Sequence, residues 1–177
     1  MTLTFEVDPP VDQALTDSIL DLWVDVTNAG GAVGFVAPVT GDDVRPALRQ
    51  HLVGMAQGTH RLLVGRDEDG TVAATAVFAF NTHRLMTHWV WLYTVMVHPK
   101  HQGKGYGRDL MAAVERAART APGFEGVDAI RLGVRGGTST DTFYAKAGYQ
   151  EVGRVPGAIR VADDDYRDDI TMLLTLT

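Results

Sequence analysis

The stretch that decides the fold runs Val95-Met96-Val97-His98-Pro99-Lys100-His101-Gln102-Gly103-Lys104-Gly105-Tyr106-Gly107-Arg108. It begins as the end of an aromatic and β-branched strand expected over 87–97. Three glycines then fall in five positions, Gly103, Gly105 and Gly107. A helix expected over 108–121 follows, with Leu110, Met111, Val114, Ala117 and Ala118 on one face. A strand, a glycine turn and a helix in that order make an anion site. Glycine lets the backbone come close to a ligand and reach positive φ, and the first N–H groups of a helix have no partner inside it. Lys104 and Arg108 either add positive charge to that site or stand as ordinary solvated side chains. A tight turn without a ligand uses the same glycines, so the loop has to be read in its surroundings.

Two other phosphate loops fit less well. The Walker spacing G-x-x-x-x-G-K-[ST] is absent. Asp128 lies about twenty residues beyond the loop, where a Rossmann fingerprint expects an acid, but it precedes the next strand instead of ending it. A Rossmann unit also alternates strands and helices from its start, and this chain does not. Upstream, residues 3–7 read as a strand, 12–26 as a helix with Leu15, Ile19, Leu22, Trp23 and Val26 on one face, and 40–55 as a second helix. Thr40 and Asp43 form a capping box for that helix, and Pro46 is tolerable in it only within the first turn. Residues 61–65 and 71–80 read as a hairpin turning at Asp69-Gly70. Downstream come a strand over 129–134, a short helix over 140–146, and closing strands over 151–155 and 170–176. The order is β-α-α-β-β-β-α-β-α-β-β, and no linker interrupts it. We therefore expect one α/β (α+β-like) domain over 1–177, with a mixed, mostly antiparallel sheet. The strand–helix–strand step across the loop makes one adjacent pair parallel.

Gln102-x-x-Gly105-x-Gly107 resembles the [RQ]-x-x-G-x-[GA] acyl-CoA loop of the GNAT superfamily of N-acetyltransferases, with Val97-His98-Pro99 in the place of its V-x-P. A second segment, Phe143-Tyr144-Ala145-Lys146-Ala147-Gly148-Tyr149, is similar to the family's F/L-Y-x-K-x-G-F/Y signature. The two motifs at their observed spacing are far more specific than either alone, and the element order extends the match over nearly the whole chain. A weaker likeness, carried by glycine-rich strings early and late in the chain, is to the branch containing the tabtoxin-resistance acetyltransferase.

The resemblance implies acetyl-CoA as co-substrate and calls for no metal. Its pyrophosphate would meet the backbone of Gln102, Gly103, Lys104, Gly105, Tyr106 and Gly107, with Arg108 a further candidate contact through its charge. Its pantetheine arm would pair with the backbone of Val95, Met96 and Val97 at a splay between two parallel strands. Thr138 is a further candidate contact, and it serves equally well as a helix cap. Tyr144 would protonate the leaving thiolate; a phenol, with an ordinary pKa of about 10, keeps its proton at neutral pH. Read without the motif, Tyr144 is an aromatic that packs a short helix. The sequence departs from the family at two places. Trp91-Leu92-Tyr93-Thr94-Val95 lacks the strand Glu that many relatives use as a base, and Gly136-Gly137-Thr138-Ser139-Thr140 lacks the usual Asn. His83 and His88 are the candidate substitutes for the base, each also readable as an ordinary surface histidine.

By the same analogy the acceptor should meet residues 28–35 and 156–165. Asp163 to Asp165 in the second segment would attract a cation, or form a solvated acidic turn. Trp89, Trp91 and Tyr93 share one strand face, either lining the acceptor pocket or filling the core. The expected acceptor is a small-molecule amine of the toxin, antibiotic or amino-acid-like kind. A protein or peptide N-acetyltransferase and a non-catalytic acyl-CoA sensor stand as alternatives.

Composition sets the outer bounds. The 177 residues are 45% hydrophobic and carry a net charge of −6, which argues against a nucleic-acid binder. The absence of cysteine excludes disulfides, thiolate metal sites and a cysteine acyl-enzyme. No apolar run approaches the roughly 18 residues of a membrane span, and residues 1–10 lack the pattern of a secretion signal, so the expected compartment is the cytoplasm. Relatives often pair as homodimers, although no feature of the sequence demands it.

Overall fold

The computed structural model of the protein describes residues 3–176; positions 1, 2 and 177 of the single domain expected over 1–177 lie outside the described residues. The elements run β1 (Thr4–Val7), α1 (Gln13–Asn28), α2 (Gly41–Ala56), β2 (His60–Arg66), β3 (Val72–Phe80), β4 (Trp89–Val97), α3 (Tyr106–Thr120), β5 (Ala129–Arg135), α4 (Thr140–Lys146), β6 (Gln150–Ala162) and β7 (Asp165–Thr175). This is the expected order, with a short 3-10 turn over Pro99–His101 added between β4 and α3. The sheet is ordered β1-β2-β3-β4-β5-β7-β6. Among the described residues only β4 and β5 run parallel.

That parallel pair is short, with Trp89, Val90 and Trp91 opposite Ala129, Ile130 and Arg131. Beyond Trp91 the two strands separate, and the cause lies within β4. Its register against β3 slips between Thr75 and Val77, and Thr94 takes φ 47°, a left-handed conformation that β-branched residues rarely adopt. An irregularity of this kind bends a strand and increases its local twist. Thr75 Oγ1 donates to the Thr94 carbonyl (3.3 Å), tying the distorted residue to β3. The result is the expected splay, with β4 backbone from Leu92 onward lacking a partner on its β5 side.

Helices cover both faces. On one, α1 and α2 bury Leu15, Leu22, Trp23, Val44 and Leu48 against Leu62, Val64, Val77 and Met96. On the other, Leu110, Met111 and Val114 of α3 pack on Leu63, Ala76, Phe78, Ile130 and Leu132. Alternation along β2 sends Leu62 and Val64 one way and Leu63 the other. Asp12 caps α1 by accepting from the Leu15 N–H (2.8 Å). At the start of α2, Asp43 accepts from both the backbone N–H (2.8 Å) and the hydroxyl (2.7 Å) of Thr40.

Two expectations need correction. Pro46 lies in the second turn of α2, since the helix opens at Gly41. The missing N–H deprives only the carbonyl of Asp42, an exposed residue that water can reach. The closing strands are also longer than expected, because β6 and β7 form one extended hairpin that pairs as far as Ala162 and Asp165. Pro156 and Gly157 are absorbed by a register slip between Val155 and Ile159. β6 is an edge strand, so a proline there removes no ladder bond that the sheet needs. Among the described residues, no helix is long and apolar enough to cross a membrane.

Candidate active site

The splay opens into a cavity of about 760 Å³ whose wall is drawn from α1, α2, α4, β2, β4, β5, residues 31–35 and Gln102. One end is built from the sequence motifs. Val95, Val97, Gln102, Thr140 and Tyr144 line it. Met96, expected beside them, does not line the cavity; its side chain is buried in the core beneath α1 and α2. Gln102 donates through Nε2 to the Val97 carbonyl (3.1 Å), bridging the glycine turn to the free strand end. Gly105 caps α3 at φ 89°, a conformation that strains other residues. Gly107 faces the Phe143 ring so closely that a Cβ would stand 3.1 Å from it, so this glycine allows α3 and α4 to meet.

The remaining motif residues divide by position. Gly103 and Lys104 are exposed, and Arg108 is exposed with Asp109 4.0 Å away. Tyr106, the first residue of α3, is buried, its ring 5.5 Å from that of His101. Thr138 is not the cap of α4, whose N-cap position is Ser139, and it is engaged elsewhere. Its hydroxyl donates to the Arg135 carbonyl (2.7 Å) and lies 2.7 Å from Thr140 Oγ1, and Thr140 is the residue that reaches the cavity. Tyr144 packs against Phe143 (5.1 Å between ring centroids) and Tyr149 (5.7 Å). Burial raises its phenol well above the ordinary value, so the proton is present at any physiological pH.

This end suits a phosphopantetheine thioester. Free N–H groups at the turn and at the start of α3 can take a pyrophosphate. Unpaired β4 backbone can hydrogen-bond the amides of the arm.

The other end holds residues that the sequence did not single out. Trp23 Nε1 donates to the Val33 carbonyl (2.7 Å), and Arg135 Nη2 to the Phe35 carbonyl (2.7 Å), clamping residues 31–35 from two sides. Behind them His51 lies 5.9 Å from Trp23, 5.5 Å from His60 and 6.0 Å from Tyr93, measured between ring centroids. Burial, and then the proximity of His60, press the His51 imidazole down to about 4. Burial lowers His60 and raises Tyr93. Among the described residues that line the cavity, none is Asp, Glu, Lys or Arg.

The structure separates several candidates that sequence left level. Of the two segments expected at the acceptor, 31–35 lines the cavity. The segment 156–165 belongs to the exposed β6–β7 hairpin, where Asp163 pairs with Arg160 (2.6 Å) and Asp165 with Arg167 (2.5 Å). Tyr93 faces the cavity, whereas Trp89 is buried with the Arg131 guanidinium 4.0 Å above its ring. His83 and His88 are exposed and lie outside the cavity. His51 and His60 were missed because each looks ordinary in the sequence. The one available signal was that His51 continues the apolar stripe of α2 three residues after Leu48.

Comparison with known proteins agrees with this geometry. The Acetyltransferase (GNAT) family profile matches residues 37–149. No curated protein matches the chain by sequence. Among solved structures, a protein provisionally called a phosphinothricin N-acetyltransferase superposes with a TM-score of 0.77 at 19% identity, over 98% of this chain and 99% of that one. YncA of Salmonella typhimurium, provisionally called an acetyltransferase and solved with its cofactor acetyl-CoA, superposes with a TM-score of 0.74 at 22% identity, over 100% and 95%. A ribosomal-protein-alanine N-acetyltransferase from Brucella melitensis gives 0.72 at 20% identity, over 97% and 99%. At these identities the superpositions speak for the fold alone. The family profile spans the capped α2, the splayed β4, the glycine turn and the Tyr144 helix, and on that match this chain belongs to the GNAT family of acetyltransferases.

Proposed function

We propose that the enzyme transfers the acetyl group of acetyl-CoA directly to the amine of a small molecule with an apolar or aromatic body. The observation that carries this reading is the continuity of the cavity: Val95, Val97 and Tyr144 share one space with Trp23, Phe35, His51 and Tyr93. A thioester held along β4 and an amine lying among the aromatic residues would meet without a covalent enzyme intermediate, and the chain has no cysteine to form one. The amine nitrogen attacks the carbonyl carbon, free backbone N–H groups of β4 stabilise the developing oxyanion, and Tyr144 donates its proton to the departing sulfur. Raising the phenol makes it a weaker acid but ensures that it is protonated when the thiolate forms.

The wall also favours one class of acceptor. A polyamine or a basic peptide would have to leave several ammonium groups without a carboxylate partner, and desolvating an unpaired charge costs several kcal/mol. The clamp on residues 31–35 further encloses the acceptor end. Acetyl-CoA-dependent thiol release over a panel of phenethylamine, amino acids, spermidine, an aminoglycoside and a short peptide tests the reading, with acetyl-CoA binding measured in parallel. Turnover concentrated on the aromatic or apolar amines is expected, with Tyr144→Phe lowering kcat by about 10²-fold or more. Turnover confined to the peptide would reassign the enzyme as a peptide N-acetyltransferase, and acetyl-CoA binding without turnover would point to a sensor.

A further inference from the structure

We propose that His51, held in place by His60, is the group that takes the proton from the acceptor nitrogen. The proposal rests on the acceptor reading of the cavity given above. β4 presents no carboxylate near the thioester position, only Trp91-Leu92-Tyr93-Thr94-Val95, and His83 and His88 stand outside the cavity. His51 and His60 are the only side chains of the wall whose ordinary pKa suits them to accept a proton near neutrality.

Their placement is specific. Nδ1 of His51 is sealed from water and has no hydrogen-bond partner, which leaves Nε2 as the ring nitrogen that can meet a ligand. His60 is tied through Nδ1 to Thr59 Oγ1 (3.1 Å) and presents its ring edge-on to His51, 5.5 Å between centroids at 64°. The second ring fits only because residue 54 of α2 is glycine: a Cβ there would lie 1.9 Å from His60 Nδ1. A glycine inside a helix costs about 1 kcal/mol relative to alanine, and here it opens the recess that His60 occupies. Around His51, α1 presents Trp23, β2 presents His60 and β4 presents Tyr93. His60 is the one group whose charge acts on it. The imidazole is therefore neutral throughout the physiological range, and the relay uses the tautomer with its proton on the sealed Nδ1, which leaves the lone pair on Nε2.

The proton balance closes. A free amine R–NH2 forms the N–C bond, and its nitrogen becomes positively charged. One N–H proton passes to His51 Nε2. The C–S bond breaks with its electron pair on sulfur, and sulfur takes the Tyr144 proton. The His51 proton then returns to the Tyr144 oxygen through solvent, so the products are the acetamide and free CoA thiol. A weakly basic imidazole suffices, because the nitrogen loses its basicity as the amide forms.

The test uses phenethylamine and acetyl-CoA with the full chain. His51→Gln is expected to bind acetyl-CoA with unchanged Kd and to lose kcat by about 10²-fold or more. In His51→Ala, added imidazole is expected to restore part of kcat, which a purely structural role for the side chain would not allow. Gly54→Ala, which keeps His51 and displaces His60, is expected to lower kcat with acetyl-CoA binding intact. Unchanged kcat in His51→Gln, or a loss in His51→Ala that imidazole does not recover, overturns the relay alone. Wild-type protein that binds acetyl-CoA yet acetylates no amine of the panel overturns the proposed function, and the relay with it.

Discussion

Burial of His51 should leave a signature in stability that needs no substrate. Its imidazole is pressed to about 4 in the folded protein, against an ordinary value of 6.5 that the unfolded chain recovers. Because the folded value is the lower one, the unfolded chain binds the extra proton first. The stabilisation is complete above the unfolded value and is lost as pH falls from 6.5 toward 4. Taken in full, that shift amounts to about 2 kcal/mol at pH 5. Part of the ring meets cavity water, so about 1–2 kcal/mol is the expected share, a sizeable fraction of the roughly 5–15 kcal/mol that holds a domain folded. Urea unfolding of wild type and His51→Gln at pH 7.5 and pH 5 reads it directly, provided the m-values agree. Carboxylates that titrate over the same window cancel between the two proteins. Wild type should lose about 1–2 kcal/mol more than the variant on acidification. An identical loss in both would show that His51 is solvated, and the reasoning about its burial would fail.

Other perturbations probe separate parts of the site. Gly105→Ala forces a Cβ onto a residue at φ 89°; it should cost about 1–2 kcal/mol and raise the acetyl-CoA Kd in calorimetry. Trp23→Phe removes the donor to the Val33 carbonyl; it should cost about 1 kcal/mol and raise the amine KM, leaving acetyl-CoA affinity unchanged. Arg135→Met frees the Phe35 carbonyl and should likewise act on amine KM, measured with phenethylamine. Asp163→Asn breaks only the exposed pair with Arg160 at the hairpin tip; its kinetics should match wild type for every amine, since that tip lies outside the cavity.

The motif end of the cavity was legible in the sequence because its determinants are local. Gly103, Gly105 and Gly107 are close neighbours whose backbone freedom is a property of each residue, and Tyr144 lies in a signature seven residues long. Element order was legible for a similar reason: hydrophobic period, caps such as Asp12 and Thr40, and turns such as Asp69-Gly70 act over a few residues. The ends of β6 and β7 were not, since Pro156 and Gly157 break a strand anywhere but at the edge of a sheet, and only the assembled sheet shows that β6 is an edge. The aromatic end of the cavity was hidden for the deeper reason that it is made of long-range contacts. His51 meets His60 because α2 folds back on β2, Gly54 yields space to a ring on another element, and Arg135 reaches Phe35 across a hundred positions of chain. The sequence by itself determined the strand, glycine turn and helix of the motif end, because backbone conformation there follows from residue type. Only the tertiary structure decided which side chains line the other end of the cavity, because burial and the pKa values it shifts arise where distant elements pack.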